Sequence, residues 1–237
     1  MTESLISAWS FSRLKDYESC PYKLWLKVGE KRDQSHMDMT AADRGTMVHD
    51  SAEHYVDGTG DFIKEMSRFR PYFEELKSKY EAGDVILEEN WGFTVDWEQT
   101  GWWDKNVWCR MKLDNLITDE YNPSGDPVVV TPTDYKTGKK YGNEVSHNMQ
   151  GQLYAVGTFL RFPTVEVANV EIQYLDHGLT TKGIYTREKA MKFLPMWNTR
   201  AKRMTEAEDF PPKPTKVTCM WCPFGPQHGD GSCEWGV

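Results

Sequence analysis

Val128-Val129-Val130-Thr131-Pro132-Thr133-Asp134-Tyr135-Lys136-Thr137-Gly138 is the stretch on which the reading of the fold turns. Its apolar, β-branched opening predicts a strand over Val128 to Tyr135, and Thr137-Gly138 ends it. Residues two apart on a strand face the same side, so the Asp134 carboxylate and the Lys136 ammonium project together. Taken alone, an acid and a lysine so spaced usually form an exposed ion pair.

Working outward, Asn122-Pro123-Ser124-Gly125-Asp126 is a turn, and before it Asn106 to Thr118 reads as another strand. That strand carries Asp114, and the turn would fold the two strands side by side, bringing both carboxylates within reach of one ion. Two hard oxygen donors suit Mg²⁺ or Mn²⁺, which keep water in their remaining positions. A metal there lowers the pKa of a bound water and stabilises charge on a phosphate, with Lys136 placed to orient that water or stabilise the transition state. Val85 to Val95 gives a third strand ahead of these.

Further from the motif the pattern turns helical. Ser7 to Lys27 predicts short helices interrupted at Cys20-Pro21, with Ser10 as N-cap. Ala42 to Val56 is a helix ended by Asp57-Gly58, and Phe62 to Tyr80 is one broken or kinked near Pro71. After the lysine strand come a helix over Asn143 to Leu160, strands over Val165 to Leu175 and Thr181 to Thr186, and a helix over Arg187 to Met204. Helix, strands, helix, strand predicts an α/β or α+β fold around a mixed sheet. His49 falls one helical turn before Glu53, and Gln150 one turn before Tyr154, each pair on one helix face.

In order, these residues resemble the RecB-like branch of the PD-(D/E)XK nuclease superfamily, which includes CRISPR-adaptation exonucleases. The likeness rests on Gly45-Thr46-x-x-His49, the lone Asp114, Asp134-Tyr135-Lys136-Thr137-Gly138 and Gln150-x-x-x-Tyr154, after an entry at Ser10 to Tyr22. It implies a restriction-endonuclease-like core with a mixed central sheet flanked by helices. His49, Asp114, Asp134 and the Tyr135 carbonyl would be metal ligands, Lys136 the catalytic lysine, and Gln150 and Tyr154 site-lining residues that contact DNA. Glu53 has no firm family role and is a supporting candidate. The implied activity is a Mg²⁺- or Mn²⁺-dependent deoxyribonuclease, an exonuclease acting on single-stranded DNA or duplex ends. A non-catalytic DNA-binding or complex-forming subunit with the same fold is the alternative, and an RNA or tRNA substrate is also open.

Five cysteines remain. Cys219-x-x-Cys222 has metal-type spacing and Cys233 follows it. Relatives in this branch often hold a [4Fe–4S] cluster with one cysteine near the N-terminus and three in the tail, which Cys20, Cys219, Cys222 and Cys233 would match. The tail commonly reads Cys-x2-Cys-x5-Cys, and here His228 stands at the third position. The rival is a zinc site of Cys219, Cys222, His228 and Cys233. Cys109, inside a strand, is expected in the core. The expected organisation is a single nuclease domain: an N-terminal helical segment (1–41), a nuclease core (42–205) and a Cys-rich tail (206–237), the two ends joined at the metal centre.

Composition bounds the partners. With 237 residues, 39% apolar and 27% charged, the chain has the profile of a soluble globular protein. No apolar run approaches the roughly 20 residues of a membrane span, and the N-terminus does not read as a secretory signal. A prokaryotic or phage-infected cytoplasm is the expectation. A formal charge of −8 argues against a nucleic-acid partner, since phosphate binding is driven by Lys and Arg. Local clusters soften this: Lys136, Lys139 and Lys140, and six cations between Arg187 and Arg203 against one acid, Glu188. The second cluster reads equally well as a solvated helix face. No Gly-x-x-x-x-Gly-Lys-Ser/Thr loop occurs, so unwinding would need a helicase, and a recombinase or single-strand-binding partner is also conceivable. Ten tryptophans offer stacking platforms for unpaired bases, though most are expected in the core.

Overall fold

A computed structural model describes residues 5–34, 40–138 and 140–237. Helix α1 (Phe11–Ser19) starts where Ser10 Oγ accepts the Arg13 backbone N–H at 3.4 Å, the predicted cap. The extended backbone of Cys20 separates it from α2 (Pro21–Leu24), which runs into one π turn over Trp25–Gly29. Next come α3 (Thr40–Asp57), a 3-10 turn (Lys64–Phe69) and α4 (Arg70–Ala82). The predicted kink near Pro71 is the junction of these last two, with the proline in the first turn of α4, where no N–H is needed.

The strands correct the sequence reading. The run Val85 to Val95 divides into β1 (Val85–Leu87) and β2 (Asn90–Phe93). After a short β3 (Gln99–Thr100), the run Asn106 to Thr118 divides into β4 (Cys109–Lys112) and β5 (Asn115–Tyr121). Both breaks fall at one level. Glu88 adopts a left-handed φ of 49° and its N–H donates to the Asp114 carbonyl at 3.0 Å, while the Leu113 N–H donates to the Glu89 carbonyl at 3.0 Å. The ladder that pairs Leu87 with Asn115 resumes at Asn90 with Lys112. The register is unchanged across this interruption, but the left-handed Glu88 turns the chain, so one antiparallel ribbon serves two sheets. Apolar character persists on both sides of the bend, which is why periodicity alone joins the halves.

β6 (Pro127–Lys136) carries the Asp-x-Lys motif, and β7 (Val167–Tyr174) and β8 (Leu179–Thr186) complete a five-stranded sheet of order β1-β5-β6-β7-β8. β6 and β7 are parallel and the other pairs antiparallel, so the sheet is mixed. Parallel neighbours need a crossover, and α5 (Glu144–Arg161) supplies it. The smaller sheet has order β3-β2-β4, and Trp9 bridges to Cys109 on its edge. The helix expected over Arg187 to Met204 is two, α6 (Arg187–Met191) and α7 (Leu194–Thr205), with Pro195 opening the second. A short α8 (Lys216–Met220) opens the tail.

Two apolar cores flank the larger sheet. One holds α5 against both sheets and takes in Trp9, Trp91, Leu153, Phe159 and Trp197, with Cys109 buried as expected. The other packs α3 and α4 through Val48, Ala52, Phe73 and Leu76 onto Ile117 and Tyr135. Alternation along β6 therefore sends Tyr135 into the second core and leaves Asp134 and Lys136 facing α5. Among the described residues no helix is long and apolar enough to cross a membrane.

Candidate active site

Asp114 occupies the bend between β4 and β5, where neither sheet's ladder claims its side chain. Its Oδ1 lies 2.7 Å from His49 Nδ1 on α3, and its Oδ2 accepts the Tyr135 backbone N–H at 2.5 Å. Asp134 stands beside it on β6. Its Oδ1 accepts the Tyr154 hydroxyl at 2.8 Å and the Gln150 amide at 3.2 Å, and its Oδ2 faces Lys136 Nζ at 2.5 Å. Gln150 also donates to the Tyr154 hydroxyl at 2.6 Å, and that hydroxyl reaches the Lys112 carbonyl at 2.9 Å. The structure thus gathers His49, Asp114, Asp134, Lys136, Gln150 and Tyr154 into one cluster fed by two helices, one strand and one bend.

Burial governs its electrostatics. It raises the Asp134 carboxyl above the usual range; Lys136 opposes this and the Asp114 charge adds to it. For His49, burial pulls the imidazole down, but the hydrogen bond and charge of Asp114, with Asp134 behind, leave it raised. Burial also lifts the Tyr154 hydroxyl well above its ordinary value, reinforced by Asp134, so it serves as a donor and not as a phenolate. Among the described residues, no three of His, Cys, Asp and Glu stand at ligand spacing about one point. The carboxylate oxygens are instead filled by His49, Tyr135, Tyr154, Gln150 and Lys136. The donor types nevertheless fit a hard divalent cation: two adjacent carboxylates, one buried and reluctant to ionise, plus an imidazole.

The sequence around these residues has local reasons. A Cβ on Gly45 would lie 3.3 Å from Thr137 Oγ1, so the start of α3 can lie against the end of β6. Arg44 grips Asp176 through two bonds (3.0 and 2.7 Å), and Asp176 accepts the Gly138 N–H at 2.6 Å, which pins the turn after Lys136. The sequence reading missed Glu88. At the same bend it pairs with Lys112, and its carboxyl is raised by burial, opposed by Lys112, with Asp114 and Glu53 adding to the rise. Two strand-embedded acids in Leu87-Glu88-Glu89-Asn90 gave no signal that one would turn inward. Glu53 reaches the site only through its charge on Glu88 and Lys112.

Beside the cluster opens a cleft of about 670 Å³. Arg13, Lys15, Arg110, Lys112 and Lys136 line it, and among the described lining residues there is no acid, despite a chain charge of −8. His147 also lines it and is pushed down to about 4, by burial first and then by Lys136 and Lys15. The basic run over Arg187 to Arg203 has other duties. Arg187 caps α5 through the carbonyls of Phe159, Phe162, Pro163 and Val165, and Arg200 pairs with Glu18. Lys140 lies over the Tyr141 and Tyr174 rings, and Lys139 lies outside the described residues.

At the other end of the molecule, Cys20, Cys219, Cys222 and Cys233 line one small void of about 20 Å³, room for a single small ion or a water and too small for the expected four-iron cluster. Among the described residues no three of these cysteines stand at metal-ligand spacing. Burial raises the Cys222 and Cys233 thiols, and the other cysteines add to it. His228 lies elsewhere, its ring stacked on Trp221 at 4.2 Å. Tyr22 donates to Glu234 and Arg32 to the Ser232 carbonyl, so the N-terminal segment and the tail do meet. A Cβ at Gly225 would sit 2.3 Å from the Cys219 carbonyl, so only glycine lets this turn close.

Residues 8–122, just under half of the chain, match the PD-(D/E)XK nuclease superfamily. The mixed five-stranded sheet flanked by helices is consistent with that nuclease fold. Among solved structures, a protein from Eubacterium rectale described as "Putative exonuclease" is similar in fold at TM-score 0.50 and 15% identity, over 91% of this chain and 86% of that one. The crystal structure of SSO0001 aligns at TM-score 0.48 and 12% identity, over 98% and 88%. No curated protein sequence matches the chain significantly.

Proposed function

We propose that this protein is a metal-dependent deoxyribonuclease of the RecB-like PD-(D/E)XK type, degrading DNA from its ends in prokaryotic or phage recombination, repair or CRISPR-linked processing. One observation carries the reading. Residues scattered from His49 to Tyr154 form two hydrogen-bonded groups, one on Asp114 and one on Asp134, joined through the Asp134–Tyr135 peptide at the edge of a cleft whose described lining is cationic and without acids. His49, Asp114, Asp134 and the Tyr135 carbonyl would hold Mg²⁺ or Mn²⁺. When bound, that ion supplies an activated water and charge neutralisation at the phosphate. The chain supplies the rest. Tyr154 and Gln150 fix one oxygen of Asp134, leaving the other to exchange partners. Lys136 sets a positive charge where the scissile phosphate would develop negative charge. Arg13, Lys15 and Lys112 hold neighbouring phosphates along the cleft. A prokaryotic cytoplasm, one nuclease domain over the whole chain, and a helicase, recombinase or single-strand-binding partner for unwinding complete the proposal.

Asp114→Ala and Lys136→Ala are each expected to cut Mn²⁺-dependent degradation of linear DNA by about a hundredfold or more, with circular dichroism unchanged. Covalently closed circles are expected to resist the intact protein. Undiminished cleavage by both variants would place the site elsewhere. Gel shifts without cleavage by either metal would replace the enzyme with a DNA-binding subunit.

For the tail we propose a thiolate metal centre held by Cys20, Cys219, Cys222 and Cys233, an iron–sulfur cluster in the family manner. Support comes from these four cysteines lining one void that His228 does not border; a four-iron cluster would require that void to widen and the thiols to close to ligand spacing. Anaerobically purified protein is expected to absorb broadly near 400 nm. One zinc per chain and no such band would make it a zinc site instead.

A further inference from the structure

We infer that Trp102 and Trp103, backed by Arg110, form a stacking platform that takes the bases of an unpaired DNA strand entering the cleft. The inference rests on the nuclease reading for its ligand class but not on any catalytic residue. Trp103 is 83% exposed, the most exposed large apolar side chain among those described, while Trp9, Trp91, Trp97, Trp108 and Trp197 are buried. Leaving a ring of that size in water forgoes about 2–3 kcal/mol of burial, so the fold gains nothing from its position.

The loop that presents it is stiff. Asp104 accepts from Thr100 Oγ1 at 2.8 Å and from the Gly101 N–H at 2.7 Å, and its own N–H donates to the Gly101 carbonyl at 3.2 Å. Arg110 Nε donates to the Trp102 carbonyl at 3.0 Å, and its guanidinium carbon lies 5.6 and 5.4 Å from the two indole centroids. The rings meet edge to face, 6.4 Å apart at 82°, so they present two differently oriented faces to the cleft. The other exposed tryptophans, Trp221 and Trp235, belong to the tail, and Trp221 already stacks on His228 at 4.2 Å.

What lies beside the platform names the ligand. Aromatic faces next to a row of cations match the alternation of base and phosphate in a single strand, and base–aromatic stacking is indifferent to sequence. Arg13, Lys15 and Lys136 line the same cleft as the two indoles. A cleft of about 670 Å³ has the capacity of a small-ligand site. It has room for unpaired nucleotides, whose free faces can stack on the indoles, whereas the bases of a helix are already stacked on one another.

The test is equilibrium binding of a fluorescein-labelled 12-nucleotide oligo(dT), and of a duplex of equal length, to the full chain in EDTA, where nothing is cleaved. Trp103→Ala is expected to weaken oligo(dT) binding roughly ten- to a hundredfold, with Trp103→Tyr recovering most of it. The exposed tail variant Trp221→Ala is expected to bind as the wild type does. Lys15→Gln should lower the slope of log K against log salt by roughly 0.7. Unchanged oligo(dT) affinity in Trp103→Ala, or an equal loss for duplex and single strand, would overturn the platform. Such a result would leave the cleavage assays on Asp114 and Lys136 standing, and stacking without cleavage would overturn the nuclease reading alone.

Discussion

Asp134 shows how a residue can be poorly placed for stability and well placed for chemistry. Its carboxyl is raised by burial despite Lys136, so in the window between an ordinary carboxylate value near 4 and its own raised one it holds a proton that the unfolded chain has released. Stability contributed there falls as pH rises. His49 has the same sign. Its raised imidazole contributes fully below about 6.5, and the contribution disappears as pH climbs through the folded value. The proposed ligand roles need the opposite protonation, Asp134 charged and His49 neutral. We therefore predict that cleavage at fixed Mn²⁺ rises along an acid limb displaced above the ordinary carboxylate range. The metal-free protein should lose urea resistance over the same rise. Parallel pH profiles check this, and a limb near pH 4 would show that these two groups do not control activity. At this scale the sequence was highly legible, because Asp134, Lys136 and His49 have spacings set by strand and helix geometry. Glu88 was not, because its inward turn comes from a left-handed backbone that no residue type announced.

Elements were legible in kind more than in extent. α5 and β6 fall within a few residues of their expected bounds, with glycines at positive φ, Gly142 and Gly138, beside those limits. The ribbon of β1-β2 and β4-β5 was read as two unbroken strands because a bend between sheets costs no apolar residue on either side. Just beyond that bend α5 packs closely on the smaller sheet at a position where it has no side chain. A Cβ on Gly157 would lie 2.5 Å from Met111 Sδ and 3.1 Å from the Trp91 ring. Replacing a mid-helix glycine by alanine gains about 1 kcal/mol of helix propensity. Overpacking a filled core costs about 1–3 kcal/mol, and Trp91 is fully buried with little room to yield. Gly157→Ala is accordingly expected to lower stability in urea by up to about 2 kcal/mol and to slow cleavage, because Met111 stands three residues before Asp114. A more stable variant with full activity would show that α5 can back away from the smaller sheet at this point.

Over the whole molecule, the mixed sheet and its helical layers follow from element order, whereas the cleft did not show in the sequence at all. Its cations come from α1, β4 and β6, far apart along the chain, and the charge total of −8 conceals them. In the run that did look basic, Arg187 to Arg203, the Arg187 side chain caps α5, Arg200 braces α1, and Lys192 pairs with Glu188 at the surface. That bracing has a consequence in time. The cleft wall at Arg13 and Lys15 belongs to a helix held from behind by α7: Glu18 pairs with Arg200, Tyr17 donates to the Arg203 carbonyl, and Trp9 and Phe11 pack on Trp197. During synthesis the carboxylates and Lys136 leave the ribosome first. The helix that seats the wall follows about 60 residues later, a delay of roughly 3–12 s at ordinary elongation rates. A nascent chain thus carries the proposed catalytic residues before the wall proposed to hold a strand has been seated.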